Sequence, residues 1–110
     1  MMRFLLVCLG GAAGSGARYL IGTALPHGTL IVNVIGSFCI AFALESMRAS
    51  DLRLMLVTGV LGGFTTYSAF NQETLELMRN GAWGSAVTNV VITLAACLAA
   101  GALALWLARR

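Results

Sequence analysis

The segment GGFTTYSAF, residues 62–70, decides the predicted fold of this chain because it interrupts a long apolar stretch. Two adjacent glycines precede two adjacent threonines, and glycine and β-branched residues are weak helix formers. The stretch lies between Arg53 and Arg79, whose midpoint is residue 66. In a membrane span, non-helical backbone at that depth occurs only where it is buried in protein or lines a cavity. Broken helices near the midplane form ion sites in transport proteins, so the segment predicts an ion-handling protein.

The composition predicts an all-α integral membrane protein. Hydrophobic residues make up 59% of the 110 residues and charged residues 10%, and the mean hydropathy is +0.89. A span needs about 20 mostly apolar residues, so the chain has room for four spans and little else. Charged and turn residues divide it into one membrane domain, residues 1–110, with spans at about 4–25, 29–47, 52–78 and 82–107. The third span is then broken at the bilayer midplane.

The few charged residues restrict partners and orientation. The net charge of +3 comes from arginine without any lysine, and so sparse a charge makes nucleic acid an unsuitable partner. The three cysteines lie within predicted spans and are interpreted as small buried residues, not as disulfides or metal ligands. Five arginines fall on one side of a four-span topology: Arg3, Arg48, Arg53, Arg109 and Arg110. The positive-inside rule would place both termini in the cytoplasm, but the bias is modest and insertion in both orientations stays open.

Polar side chains recur at every fourth position on two predicted spans. We call these series the polar ladders: Thr29, Asn33 and Ser37 on the second span, and Ser85, Asn89, Thr93 and Cys97 on the fourth. This spacing places side chains on one face of a helix. Hydrogen bonds between helices, worth roughly 0.6–2 kcal/mol each, are the structural alternative. Hydroxyls and amides can also donate to an anion, and these two spans have no carboxylate at mid-depth, so the ladders favour an uncharged or anionic permeant.

Tyr67 and Phe70 are three residues apart and therefore share a helix face. Packing is the usual reason for such a pair. Aromatic rings also carry a positive edge, and edges turned into a narrow, dry pore would stabilise a small anion without trapping it. The position of the pair just after the predicted helix break favours the pore.

Small residues and one arginine mark the first span. Gly10 and Gly14, and likewise Ala12 and Gly16, have the spacing that allows close approach between membrane helices. Arg18 lies near the end of this span, where an arginine ordinarily extends to the membrane interface. The alternative is that Arg18 attracts anions to a vestibule.

Three motifs resemble the signature segments of the Fluc/CrcB fluoride channels: GGAAGSGARY at 10–19, GTLIVNVIGSF at 28–38 and GGFTTYSAF at 62–70. Their order and spacing, and the four-span length, agree over the whole chain. The resemblance implies a fluoride channel, not an enzyme, which lets cytosolic fluoride leave passively through the plasma (inner) membrane. It also implies an antiparallel, dual-topology dimer of two identical four-helix subunits.

The resemblance further implies roles for single residues. The main-chain carbonyls of Gly62 and Thr65 would hold a structural sodium ion (Na+) at the dimer centre, and Arg18 matches an arginine near the vestibule. The pore-lining residues would be Asn33, Tyr67, Ser68, Phe70, Asn89 and Thr93, to which the ladder adds Thr29. The family usually has phenylalanine at the position of Tyr67 and threonine at that of Ala69. A pair of unlike subunits therefore stays an alternative to the homodimer.

Two other functions compete with the channel. Small multidrug exporters also have four spans in about this length, but their proton-coupled mechanism needs an acidic residue in the first span, and span 4–25 has none. A structural helper subunit would explain the glycines of the first span. It would explain neither the interrupted third span nor the polar ladders.

Overall fold

The computed structural model describes residues 1–110 as helices joined by short turns, without a β-strand. Three helices are long and apolar enough to cross a membrane: α1, Met2–Ala24; α2, Gly28–Ser46; and α6, Trp83–Arg109. The protein is an all-helical, multi-pass membrane protein, as the composition predicts. The helix bounds follow the turns that the sequence marks at residues 26–28 and 80–81.

The third predicted span, 52–78, is not one helix. It consists of α3, Asp51–Leu54; a π-helical segment, Met55–Leu61; α4, Gly62–Phe64; and α5, Tyr67–Arg79. Between α4 and α5 the backbone of Thr65 and Thr66 is extended, with ψ angles of 154° and 114°. We call these two threonines the helix break. The π-helical segment just before the break was not predicted.

Two turns at one end of the bundle use left-handed backbone. Gly81, with φ of 78°, ends α5, where glycine commonly closes a helix. His27, with φ of 56°, precedes α2. The following residue lies so close to α1 that a Cβ added at Gly28 would lie 2.5 Å from the Cα of Gly22. This close approach fixes where α2 starts beside α1.

Helix α1 packs against the π-helical segment and α4, whereas α2 packs mainly against α6. The first contact is made through glycine. A Cβ added at Gly14 would lie 1.9 Å from the carbonyl oxygen of Val60, and one added at Gly10 would lie 2.7 Å from that of Met55. The predicted packing role of Gly10 and Gly14 is therefore confirmed. Gly16 has no neighbour within 4 Å of such a Cβ, so its predicted packing role is wrong within this chain.

Candidate functional site

The helix break is held on one side by Asn33 of α2. In a continuous helix the amide of Thr66 would donate to the Gly62 carbonyl, but it donates to Oδ1 of Asn33 at 2.8 Å. Nδ2 of Asn33 donates to the Thr66 carbonyl at 3.0 Å. Asn33 is buried, and a buried main-chain group without a partner would cost about 1–3 kcal/mol. One amide side chain therefore satisfies both main-chain polar groups of Thr66.

Helix α1 holds the break on its other side. Nε of Arg18 donates to the Gly63 carbonyl at 3.1 Å, and the Ser15 hydroxyl donates to the same oxygen at 3.5 Å. In a continuous helix the Tyr67 amide would face that carbonyl. Arg18 is half-buried and lines a cleft of about 250 Å³ together with Ser15, Thr29 and Thr66. The predicted vestibule arginine thus makes a charge-assisted hydrogen bond to the interrupted helix.

Thr66 caps the first turn of α5. Oγ1 of Thr66 accepts a hydrogen bond from the Ala69 amide at 3.2 Å, which is the usual role of threonine before a helix. Oγ1 of Thr66 also lies 3.0 Å from the Ser68 hydroxyl. The Ala69 amide would otherwise face the Thr65 carbonyl. The carbonyls of Gly62 and Thr65 thus both lack the amide that a continuous helix would offer them.

A cavity of about 260 Å³, which we call the inner cavity, lies beside the break between α2, α5 and α6. Four predicted pore residues line it: Asn33, Tyr67, Phe70 and Thr93. Its other lining residues are Ser37, Thr65, Thr66, Leu94 and Cys97. Two adjacent positions of each polar ladder are included, so the ladders of α2 and α6 meet at this cavity. No charged side chain lines it.

Tyr67 and Phe70 form an edge-to-face pair at the inner cavity. Their ring centroids are 5.6 Å apart and the ring planes meet at 66°, a geometry that aromatic pairs favour. Phe70 is buried, with 6% of its surface exposed, whereas Tyr67 is 72% exposed. The cavity therefore has one ring fixed within the subunit and one ring at the subunit surface.

A larger cavity of about 1000 Å³, the outer cavity, opens between α2, α5 and α6. Ser85 and Asn89 of the α6 ladder line it, beside Glu73 and Glu76 of α5. Nδ2 of Asn89 donates to Oγ1 of Thr74 at 2.9 Å. The α6 ladder therefore continues from the outer cavity to the inner one, and it passes carboxylates only at the outer cavity.

Three predicted residues lie apart from the inner cavity. Asn89 belongs to the outer cavity, and Ser68 is exposed beside Asn71 and Arg79 on another face of α5. Thr29 donates to Oε1 of Glu73 at 2.6 Å and lines the cleft of Arg18. Their roles in the pore stay predictions.

Thr66, which organises the break, was not among the predicted site residues. A threonine directly before a helix is a known capping signal, and that signal would have found it.

The chain matches the family described as CrcB-like protein, Camphor Resistance (CrcB), over residues 5–105. It is 49% identical to a protein of Anaeromyxobacter dehalogenans strain 2CP-1, over 99% of this chain and 97% of the relative. It is 46% identical to one of Sorangium cellulosum strain So ce56, over 100% and 97%. A relative from Chelativorans strain BNC1 is 42% identical over 99% and 98%. All three relatives are named fluoride-specific ion channel FluC, and the matched region includes the break and both cavities.

Proposed function

The chain belongs to the CrcB family, and from this we propose that it is a channel through which cytosolic fluoride leaves the cell down its gradient. Relatives that align with nearly the whole chain carry the name of such a channel. The channel makes and breaks no bond, so it is not an enzyme. It acts in the plasma (inner) membrane and lowers fluoride toxicity. The multidrug-exporter alternative has no support among these relatives.

The inner cavity is the observation that carries this proposal. A bare anion costs tens of kcal/mol to move into a low-dielectric medium, so the pore must replace its water. The second N–H of the Asn33 amide, the Thr93 hydroxyl and the ring edges of Tyr67 and Phe70 provide positive partial charges there. Conduction also requires that the ion leaves again. A lining without arginine or lysine meets that condition, since no full charge holds the anion.

The working unit is an antiparallel dimer of two identical subunits, each a single four-span domain. Two features support this. The Tyr67 ring is 72% exposed although it lines the inner cavity, and only 13 of 110 residues are buried within one subunit. A two-fold axis in the membrane plane relates each depth to its mirror depth, so only residues at mid-depth can share a site across it. The helix break, near the middle of the third span, is suited to such a shared site.

A sodium ion at the dimer centre binds the carbonyls of Gly62 and Thr65 from both subunits. The support is the hydrogen bonding at the break, where Asn33 and Thr66 take up the amides that would face these two carbonyls. Unwound carbonyls are common sodium ligands in transport proteins. The acidic, histidine and cysteine side chains form no cluster able to hold a metal, so main-chain oxygen is the ligand type this site offers.

Efflux from liposomes tests the channel directly. Liposomes loaded with fluoride and containing only the purified protein should release fluoride much faster than protein-free liposomes, while chloride-loaded ones should release little chloride. Fluoride release no faster than from protein-free liposomes would refute the proposal. Equal release of fluoride and chloride would refute its selectivity.

A further inference from the structure

The end of the bundle that carries both chain termini concentrates positive charge. Nε of Arg3 on α1 lies 3.0 Å from Oδ1 of Asp51 on α3, and Nε of Arg109 on α6 lies 2.9 Å from Oε1 of Glu45 on α2. These two ion pairs bring the ends of four helices together. Three further arginines belong to the same end: Arg48, Arg53 and Arg110. Five arginines therefore face two carboxylates here.

A cleft of about 370 Å³ opens at this basic end, and we call it the basic cleft. Its polar lining residues come from α1, the turn after α2, α3 and the π-helical segment: Arg3, Ser50, Arg53 and Thr58. Its large apolar lining residues are Leu44, Leu54 and Val57, and Ala49 completes the lining. Leu54 and Val57 follow Arg53 along the helix toward the membrane interior. The cleft is thus cationic at the end of the bundle and mainly apolar deeper in, where the Thr58 hydroxyl is the one polar group.

Both arginines of the basic cleft keep hydrogen-bonding capacity. Arg3 donates from Nε to Asp51, and Arg53 donates from Nη1 to the Met47 carbonyl at 3.2 Å. A guanidinium group has five N–H donors, so most of them stay available in each residue. The Arg3–Asp51 pair is exposed, with side chains 77% and 55% accessible, and exposed pairs are weak. A doubly hydrogen-bonding anion can therefore compete for Arg3.

We propose that the basic cleft binds an anionic glycerophospholipid, with its phosphate between Arg3 and Arg53 and an acyl chain along Leu44, Leu54 and Val57. Guanidinium groups bind phosphate through paired hydrogen bonds, and basic pockets between membrane helices bind anionic headgroups. The apolar wall distinguishes a lipid from free phosphate, since free phosphate would leave that wall uncovered. The basic cleft shares no residue with the inner or outer cavity, so this site is separate from the proposed pore.

Native mass spectrometry of the purified protein in detergent tests the site. Phosphatidylglycerol should stay bound in preference to phosphatidylcholine. The variant Arg3→Gln/Arg53→Gln should lower phosphatidylglycerol affinity roughly twentyfold, since each arginine near an anionic surface contributes to binding. The variant Arg3→Lys/Arg53→Lys should recover most of the affinity. Arg79→Gln is the matched control, because Arg79 also lines an exposed cleft but is the only arginine there and has only Leu75 as an apolar neighbour in its lining; it should leave the affinity unchanged.

Several outcomes would overturn the proposal. Equal binding of the two lipids would refute the preference for an anionic headgroup. Parent-like affinity in the double glutamine variant would show that the two arginines do not bind the lipid. Inorganic phosphate that binds by itself and displaces the lipid at equal concentration would make free phosphate the ligand. A parent-like elution volume in size-exclusion chromatography shows that a variant is folded. If the double variant is not folded by this criterion, the single variant Arg53→Gln should still bind phosphatidylglycerol about fivefold more weakly than the parent. Parent-like affinity of that single variant would equally overturn the proposal.

Discussion

The segment 51–79 contains two departures from α-helix, and the protein holds them in opposite ways. The π-helical segment, Met55–Leu61, lies against glycines of α1, and a Cβ added at Gly59 would lie 3.1 Å from the Cα of Gly10. The helix break at Thr65 and Thr66 is held by hydrogen bonds from side chains of α1 and α2. The π-helical segment packs closely because the glycines at the contact have no side chain. The helix break, in contrast, depends on the side chains that bond to it.

We expect substitutions at the π-helical segment to affect mainly stability and substitutions at the break to affect mainly conduction. The contact of α1 with the π-helical segment is made of closely spaced backbone atoms, so an added side-chain atom should damage folding. The break presents polar groups beside the inner cavity, so the loss of one donor should damage conduction before it damages folding. π-Helical turns occur often near functional sites in helices, and here one directly precedes the residues proposed to bind sodium.

The largest effect is expected from Gly14→Ala. The new Cβ would lie 1.9 Å from the Val60 carbonyl oxygen and 2.9 Å from the Phe64 amide nitrogen. Because both are backbone atoms, the cost should exceed the roughly 1–3 kcal/mol of ordinary overpacking. Gly16→Ala is the matched control: with open space around it, it should be neutral or stabilise by up to about 1 kcal/mol. Thermal unfolding and the yield of monodisperse protein measure both, and parent-like stability of Gly14→Ala would contradict the steric account.

The next effect, on conduction, is expected from Asn33→Asp. The carboxyl group keeps an acceptor for the Thr66 amide but lacks the N–H groups that serve the Thr66 carbonyl and the proposed anion. Fluoride efflux should fall by a factor of roughly 5 to 150, which about 1–3 kcal/mol gives, with the dimer still assembled. Asn71→Asp is the control because Asn71 is exposed on the same face of α5 as Arg79. Parent-like efflux in Asn33→Asp would remove Asn33 from the pathway.

A smaller loss of conduction is expected from Phe70→Ile. The swap is roughly size-matched and should cost about 1 kcal/mol of stability, yet an aliphatic side chain lacks the positive ring edge. Efflux should therefore fall severalfold at matched dimer content. Tyr67→Phe keeps the edge and should conduct like the parent. If Phe70→Ile also conducts like the parent, the ring only fills volume beside the break.

The helix bounds and the break were predictable because their signals are local in the sequence. The turn residues at 26–28 and 80–81 mark the helix ends within two residues, and the weak helix formers of residues 62–66 mark the break. The π-helical segment has no such signal. Its sequence, MLVTGVL, is as apolar as an α-helical span, so no local residue pattern distinguishes it from one.

The contacts of the site were less predictable. The ladder spacing indicated which face Asn33 occupies, but its two hydrogen bonds reach Thr66, 33 residues away. The sequence predicts that Arg18 lies at the membrane interface or in a vestibule. Its hydrogen bond to the Gly63 carbonyl was not predictable, because that contact depends on the packing of α1 against α4. Periodicity gives the direction of a side chain, whereas its partner depends on how the helices pack.

The smallest effect, and the one that joins both regions, is expected from Thr65→Ser. Serine keeps the hydroxyl that donates to the Leu61 carbonyl at 3.1 Å and keeps the main-chain carbonyl proposed to bind sodium. Only the methyl group is lost, which should cost about 0.8 kcal/mol or less, and efflux should be near that of the parent.

That methyl group also explains why residue 36 is glycine, since a Cβ added at Gly36 would lie 2.1 Å from Cγ2 of Thr65. Gly36→Ala alone should therefore destabilise the protein and slow efflux. Because the obstructing atom belongs to a side chain and not to the backbone, Thr65→Ser should restore most of both losses in the double variant. Thermal unfolding and fluoride efflux of the two single variants and the double variant measure this coupling. If the two effects simply add, the contact between Gly36 and Thr65 does not position the break. Rescue by Thr65→Ser would show that the break, although fixed by hydrogen bonds, also needs a glycine at position 36 of α2.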